Sequence, residues 1–193
     1  YYTNWQNKPL ENVISLRDPN DPFETIPINI PGIDALHSGI EIDFAYKLNK
    51  QISFEGLLSV GDWIWNSSEN VNIEYRGLSY NYVFNAKGVH VGDAAQIQYG
   101  GMVRYEPIKN FYIKLRGTFF DKNYANFNPE SLQGTNGGRE SWRLPNYSIF
   151  DLNTGYTFDV KKTKVTIRAN ILNLLDTKYI SDAQNNDTRA PGV

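Results

Sequence analysis

His37 and His90 are the chain's two histidines, and no cysteine accompanies them. Transition-metal ligation would therefore fall to imidazole and carboxylate, with ligands converging from separate parts of the fold. Nothing adjacent to either histidine supplies such a set, and the plainer expectation is a polar residue at the end of a strand. Arg17-Asp18-Pro19-Asn20-Asp21 gathers oxygen ligands of the kind calcium takes. It lacks the Asp-x-Asp-x-Asp-Gly spacing of a calcium loop and reads as a solvated turn. Gly134-Thr135-Asn136-Gly137-Gly138 has turn chemistry around an Asn-Gly step. With no Lys-Ser/Thr after it and no helix beginning there, it reads as a flexible loop tip and not a phosphate cradle. Glu41 and Asp43 form a carboxylate pair on one strand face, which by itself is poor evidence for a glycosidase. No serine lies in a Gly-x-Ser-x-Gly context. The expectation is a protein that is not an enzyme and holds no cofactor and no metal.

The elements that would position these residues are strands. Of 193 residues, 40% are hydrophobic and 14% aromatic, with 13 Tyr and 10 Phe against a single Met. That bias suits strands and membrane interfaces better than helices. A net charge of −2 gives no basic field, so nucleic acid is not an expected partner. No run of 18 apolar residues is present, which removes a transmembrane helix. A mean hydropathy of −0.50 would suggest a soluble protein. A transmembrane strand, however, hides its apolar half in alternation.

Alternation with period two runs through the chain. Ile40, Ile42, Phe44, Tyr46 and Leu48 fall on one face of a strand, and Glu41, Asp43, Ala45 and Lys47 on the other. After Asn49-Lys50, Ile52, Phe54, Gly56, Leu58 and Val60 alternate with Gln51, Ser53, Glu55, Leu57 and Ser59. Ile97 to Glu106, Phe111 to Phe120, Phe150 to Phe158 and Val165 to Ile171 repeat the pattern, with a stub at Tyr1 to Gln6 and a further hairpin within residues 71–84. The charged residues Glu41, Asp43, Glu55, Arg104, Lys114, Arg116, Asp151 and Arg168 all fall on the polar side. Short connections (49–50, 106–110, 159–164) alternate strictly with long ones (7–36, 66–96, 121–146). That is an up-and-down meander, and it is also how a transmembrane barrel separates short periplasmic turns from long external loops.

A soluble sandwich would also alternate, because alternation says only that one face is dry. Three features favour a barrel. Strands of about ten residues match a tilted crossing of the hydrocarbon layer. Aromatics gather near both strand ends, with Tyr1, Tyr2, Trp5, Trp63, Trp65, Phe119, Phe120, Tyr124, Trp142 and Tyr147 at the long-loop end, as membrane interfaces select. The polar face carries both signs of charge, which suits a wide lumen meeting another polar surface. The expected fold is thus all-β, an antiparallel up-and-down transmembrane barrel fragment. Ile40, Ile42, Phe44, Leu115 and Phe150 should then face away from the barrel axis and the charged set toward it.

Residues 88–96 read Gly-Val-His-Val-Gly-Asp-Ala-Ala-Gln, including Gly92 and Asp93. Residues 170–179 read Asn-Ile-Leu-Asn-Leu-Leu-Asp-Thr-Lys-Tyr, including Asn170, Asn173 and Tyr179. The second segment resembles the Asn-Leu-x-Asn…Tyr signature near the C-terminus of TonB-dependent receptors. Leu36-His37-Ser38-Gly39-Ile40-Glu41-Ile42 resembles a strand start of the same barrels, and 88–96 and 139–152 resemble a subgroup of them. The resemblance covers nearly the whole chain. It implies about seven strands of a barrel of about 22, closed by an N-terminal plug. It also implies a Gram-negative outer membrane and TonB-driven import of a scarce solute such as a siderophore, cobalamin or glycan. The implied partners are the lipid bilayer, the protein's own plug domain and TonB, reached through an N-terminal region absent here. Plug, TonB box and closing strand are not found between Tyr1 and Val193, so the chain is expected to be a C-terminal segment. A passive porin-like channel and a soluble β-rich binding module are the alternatives.

Overall fold

A computed structural model describes residues 1–8, 14–18, 21–28, 33–92 and 94–183. Its elements are strands: β1 (Tyr2–Lys8), β2 (Ile14–Asp18), β3 (Asp21–Ile28), β4 (Ile33–Lys47), β5 (Ile52–Trp65), β6 (Ser68–Tyr75), β7 (Leu78–Asn85), β8 (Ile97–Ile108), β9 (Phe111–Asp121), β10 (Tyr147–Val160) and β11 (Thr163–Ile171). Helical structure among the described residues is limited to two 3-10 turns, Pro129–Leu132 and Gly134–Asn136.

Seven strands make one antiparallel sheet in the order β1-β4-β5-β8-β9-β10-β11, and β2-β3 and β6-β7 form separate hairpins. The sheet is not closed: β1 and β11 each keep an edge without a strand partner among the described residues. Chain order is kept across the sheet, so β4–β5, β8–β9 and β10–β11 join by short turns at one end. The long connections all lie at the other. Local chemistry explains the short turns. Between β4 and β5, Asn49 Oδ1 accepts the backbone N–H groups of Gln51 (2.8 Å) and Ile52 (2.9 Å). Between β6 and β7, Arg76 and Gly77 both take positive φ (52° and 76°), as a two-residue hairpin turn requires.

Between the short turns and the middle of the sheet, the register gathers most apolar positions on one face. The row Tyr46–Phe54–Val103–Leu115–Leu152–Ile171 runs unbroken from β4 to β11, and Ile42–Leu58–Tyr99–Phe119 runs from β4 to β9. Between them runs Phe44–Gly56–Gly101–Gly117–Phe150. Here the ring of Phe44 lies where a Cβ on Gly56 would be, 2.2 Å from that position, and Phe150 does the same over Gly117 at 2.7 Å. Two phenylalanines thus cover backbone that three adjacent glycines would leave bare. This apolar face is open: Ile40 is 65% exposed, Phe44 59% and Ile167 61%.

The buried core lies elsewhere, at the long-loop end. Ile33, Ala35 and Trp65 pack with Phe84, Ala86, Val89, Val91, Phe127 and Leu132, so β7 and the long loops cover the end of β4 and β5.

Several expectations need correction. Most of the long strands exceed ten residues: β4 has 15, β5 14 and β10 14. The excess in β4 and β5 runs past the apolar band into the loop-end core. The 7–36 connection is not all loop, since it contains the β2–β3 hairpin and the start of β4. Gly134–Gly138 is docked and not a free tip, because Gly138 N–H donates to the Asn85 carbonyl at 2.8 Å. The loop-end aromatic band divides between faces. Register puts Trp5, Trp63, Trp65, Phe120 and Tyr147 on the same face as Glu41, while Tyr2, Tyr99 and Phe119 share the apolar one. On that face Trp5 and Trp63 flank His37, and Trp65 joins the buried loop-end core. At the short-turn end, Tyr46, Tyr105, Phe111, Tyr156 and Phe158 do lie on the apolar face, with Tyr112 opposite.

Candidate functional site

The polar face is built by the same register. Glu41 lies opposite Ser59 and then Gln98, and Asp43 opposite Leu57. Glu55, Met102, Arg116 and Asp151 form one row; Arg104, Lys114, Asn153 and Asn170 form the next; Tyr112, Gly155 and Arg168 the next again. All eight charged residues singled out from the sequence thus share one face. They are not mutually neutralised. Arg104 pairs with Glu106 on its own strand (2.5 Å) and its guanidinium lies 4.1 Å from the Tyr112 ring centre. Asp151 accepts the backbone N–H of Asn173 (2.9 Å). Among the described residues Glu41, Asp43, Glu55, Lys114, Arg116 and Arg168 make no ion pair. Acids dominate on β4 and β5 and bases on β9 and β11, with Arg104 and Glu106 balancing on β8, so the face has a charge gradient across its strands. Directly opposed like charges such as Arg104 and Lys114 are unfavourable on a sheet unless something of opposite sign meets them.

The histidines are not brought together. His37 sits in the loop-end aromatic cluster, stacked on Trp63 (5.4 Å between ring centres) and edge-on to Trp5. His90 pairs in a bridge with Ile64, on the apolar-face side just beyond the apolar rows. Its Nδ1 contacts Glu140, its Nε2 lies 3.3 Å from Asp62, and its ring stacks on Tyr124 at 4.2 Å. Burial, and after it the Glu140 carboxylate, pushes the Tyr124 hydroxyl above its ordinary range. Arg143 donates to Asp121 (2.7 Å), which holds its guanidinium pKa above the usual arginine value. This cluster clasps the 86–92 and 122–146 segments to β5 and β9. No set of three or more His, Asp or Glu side chains among the described residues is arranged to hold a metal ion. The acidic turn at residues 17–21 lies partly outside the described residues.

The residues singled out by resemblance have local structural roles. A Cβ on Gly92 would come within 2.5 Å of Asn126 Oδ1, so the loop can pass there only as glycine. Asp93 lies outside the described residues. Asn173, at φ 50°, closes a turn: its Oδ1 accepts Thr177 N–H (2.9 Å) and its Nδ2 donates to the Thr177 carbonyl (3.0 Å). The turn stays tied to β10 through Leu174 N–H on the Phe150 carbonyl (2.6 Å), and beyond it Tyr179 stacks on Tyr147 (4.3 Å), which stacks on Phe120 (4.7 Å). Replacing Asn173 with Ala removes both side-chain bonds and leaves a β-carbon in the left-handed region, at a combined cost of about 2–3 kcal/mol. Faster hydrogen exchange at the Thr177 amide is the expected readout, and Asn173→Gly should recover the conformational part only. An unchanged exchange rate in Asn173→Ala would show that the turn does not depend on this side chain.

Gln96 escaped the sequence reading. It is 1% exposed, and its side-chain amide both accepts from Trp63 N–H and donates to the Trp63 carbonyl, each at 3.0 Å. It thereby stands in for a strand residue where β8 has not yet begun. Only burial reveals it; a glutamine before a strand carries no signal of its own. Comparison with family models, curated proteins and solved structures finds no match to this chain.

Proposed function

We propose that the chain is part of a transmembrane β-barrel of the outer membrane, serving as the import receptor that its sequence motifs resemble. The observation that carries this reading is an open-edged antiparallel sheet with a continuous, exposed apolar face opposite a charged one. In water such a face is an aggregation liability. In lipid it is the required surface, provided further strands close the edges, because unpaired backbone costs several kcal/mol per group there. The dimensions agree. From Phe150 to Val160, ten residue steps at about 3.3 Å give about 33 Å, and a strand tilt of about 40° reduces this to about 25 Å, the height of an outer-membrane apolar band. The band ends in charge at both limits, with Asp62 and Asp121 at the loop end and Lys50 and Lys161 at the turns. The polar face then lines a lumen, where its unneutralised charges meet a plug and solute. TonB coupling and the import role rest on the motif resemblance.

The test is fractionation of Gram-negative cells producing the protein that carries this chain. The chain should be found in the outer membrane, resist extraction by carbonate and salt, and require detergent. Solute uptake should stop when the inner-membrane gradient is collapsed. Recovery as a monodisperse protein without detergent would overturn the barrel. Uptake indifferent to the gradient would replace the receptor with a passive channel.

A further inference from the structure

We propose that the polar face of β9, β10 and β11 carries a binding site for a small polyanion, centred on Asn153 and bearing its negative charge on carboxylate or phosphate oxygens. Asn153 has Lys114 directly opposite on β9 and Asn170 directly opposite on β11. Arg116 and Arg168 occupy its diagonal positions on those strands. Diagonal neighbours on one sheet face lie about 7–8 Å apart, within reach of long side chains. Three cations and two amides therefore surround one point.

None of the five has its donors satisfied internally. Among the described residues Lys114, Arg116 and Arg168 have no ion-pair partner, and the amides of Asn153 and Asn170 make no hydrogen bond. Of the acids nearby, Glu106 pairs with Arg104, while Asp151 on β10, directly opposite Arg116, forms no ion pair among the described residues and accepts the Asn173 backbone N–H through Oδ1. The floor of the site is also formed. The Tyr112 ring covers Gly155, 2.6 Å from where its Cβ would stand, and Lys114 Nζ lies 5.6 Å from the ring centre. That contact holds the lysine over the sheet. Guanidinium, ammonium and amide N–H groups are donors only or donor-rich, so their complement is a ligand with several acceptor oxygens and at least two negative charges. A single carboxylate would leave most donors unused.

The access of a solute to this face rests on the lumen reading above; the patch itself is a property of the sheet. The experiment is calorimetric titration of pyrophosphate into the detergent-solubilised protein at low ionic strength. The native protein should bind. Lys114→Gln with Arg116→Gln should weaken binding about tenfold or more, since two cations able to make charge-assisted hydrogen bonds are lost. Asn153→Leu, which leaves net charge untouched, should weaken it severalfold. Lys50→Gln with Lys87→Gln removes the same charge far from the site and should change affinity less than about twofold. Retained circular dichroism in each variant excludes unfolding. No binding by the native protein, or equal losses in the two double variants, would overturn the site. Fractionation reports on the barrel and titration on the patch, so each can fail without the other.

Discussion

Leu115→Arg is expected to weaken bilayer assembly of the protein that carries this chain, while Thr118→Arg, three residues along the same strand, leaves assembly nearly intact. Leu115 sits at the centre of the apolar face, between Val103 and Leu152, and is 45% exposed. Thr118 shares the opposite face with Asp43 through Leu57 and Gly100. An arginine facing the middle of the hydrocarbon costs about 2–4 kcal/mol, and about 1.4 kcal/mol is tenfold in an equilibrium. Folding into lipid vesicles, followed against urea, should therefore shift by about thirtyfold to a thousandfold for Leu115→Arg and by less than about fivefold for Thr118→Arg. The two readings of the sheet make opposite predictions at this position. On a soluble sheet, an exposed leucine changed to arginine stays within about 0.5 kcal/mol and improves solubility. Equal behaviour of the two variants in vesicles would remove the lipid-facing assignment.

The same contrast explains how much of the molecule was legible beforehand. Period-two alternation reports which residues share a face, and the registers pair those sets as the sequence pattern requires, from Ile40 opposite Val60 to Phe158 opposite Val165. Strand order was legible too, because short and long connections alternate and each short turn has its own chemistry, such as Asn49. The far ends of β4 and β5 were less readable. There Ile33, Ala35, Trp63 and Trp65 continue the strand but pack under loops, and long-range contacts decide their role. Aromatic residues at strand ends carry the same local signal whether they meet a headgroup layer or a core, and for Trp63 and Trp65 only the loops packed on them show that it is a core. The β2–β3 hairpin lacked a clear apolar alternation, with Pro22 and Pro27 inside its second strand. For the polar face, sequence placed the charges together but could not say which were neutralised. Arg104 with Glu106 and Arg116 without a partner look alike as letters.

Phe84→Ala is expected to open the loop-end core while leaving the sheet intact. Phe84 is 1% exposed and packs with Phe127 (6.1 Å between ring centres), which in turn meets Trp65 edge-on at 5.7 Å. Truncating a buried phenylalanine costs about 3–5 kcal/mol through lost contact and the cavity left behind. Where that cost falls depends on what Phe84 holds. The β6–β7 hairpin is not paired into the seven-stranded sheet, and a lone two-stranded hairpin is marginal in water. The 86–92 segment is tied to β5 by backbone bonds between Val89 and Trp65 and between Val91 and Trp63, each 2.8 Å, and the Asp62–His90–Glu140 contacts hold it from outside. Loss of the phenyl ring should therefore release β6 and β7 first. Hydrogen exchange should show protection in Leu78–Asn85 falling about a hundredfold or more, with amides of β9 and β10 unchanged. The His90 clasp predicts an ordering within the loops: Trp65 and Val91 amides should lose less protection than those of β7, because they keep partners that do not pass through Phe84. If instead the sheet and the hairpin lost protection together, the loop-end core and the strands would form one cooperative unit. The long loops could then not open without unfolding the wall beneath them.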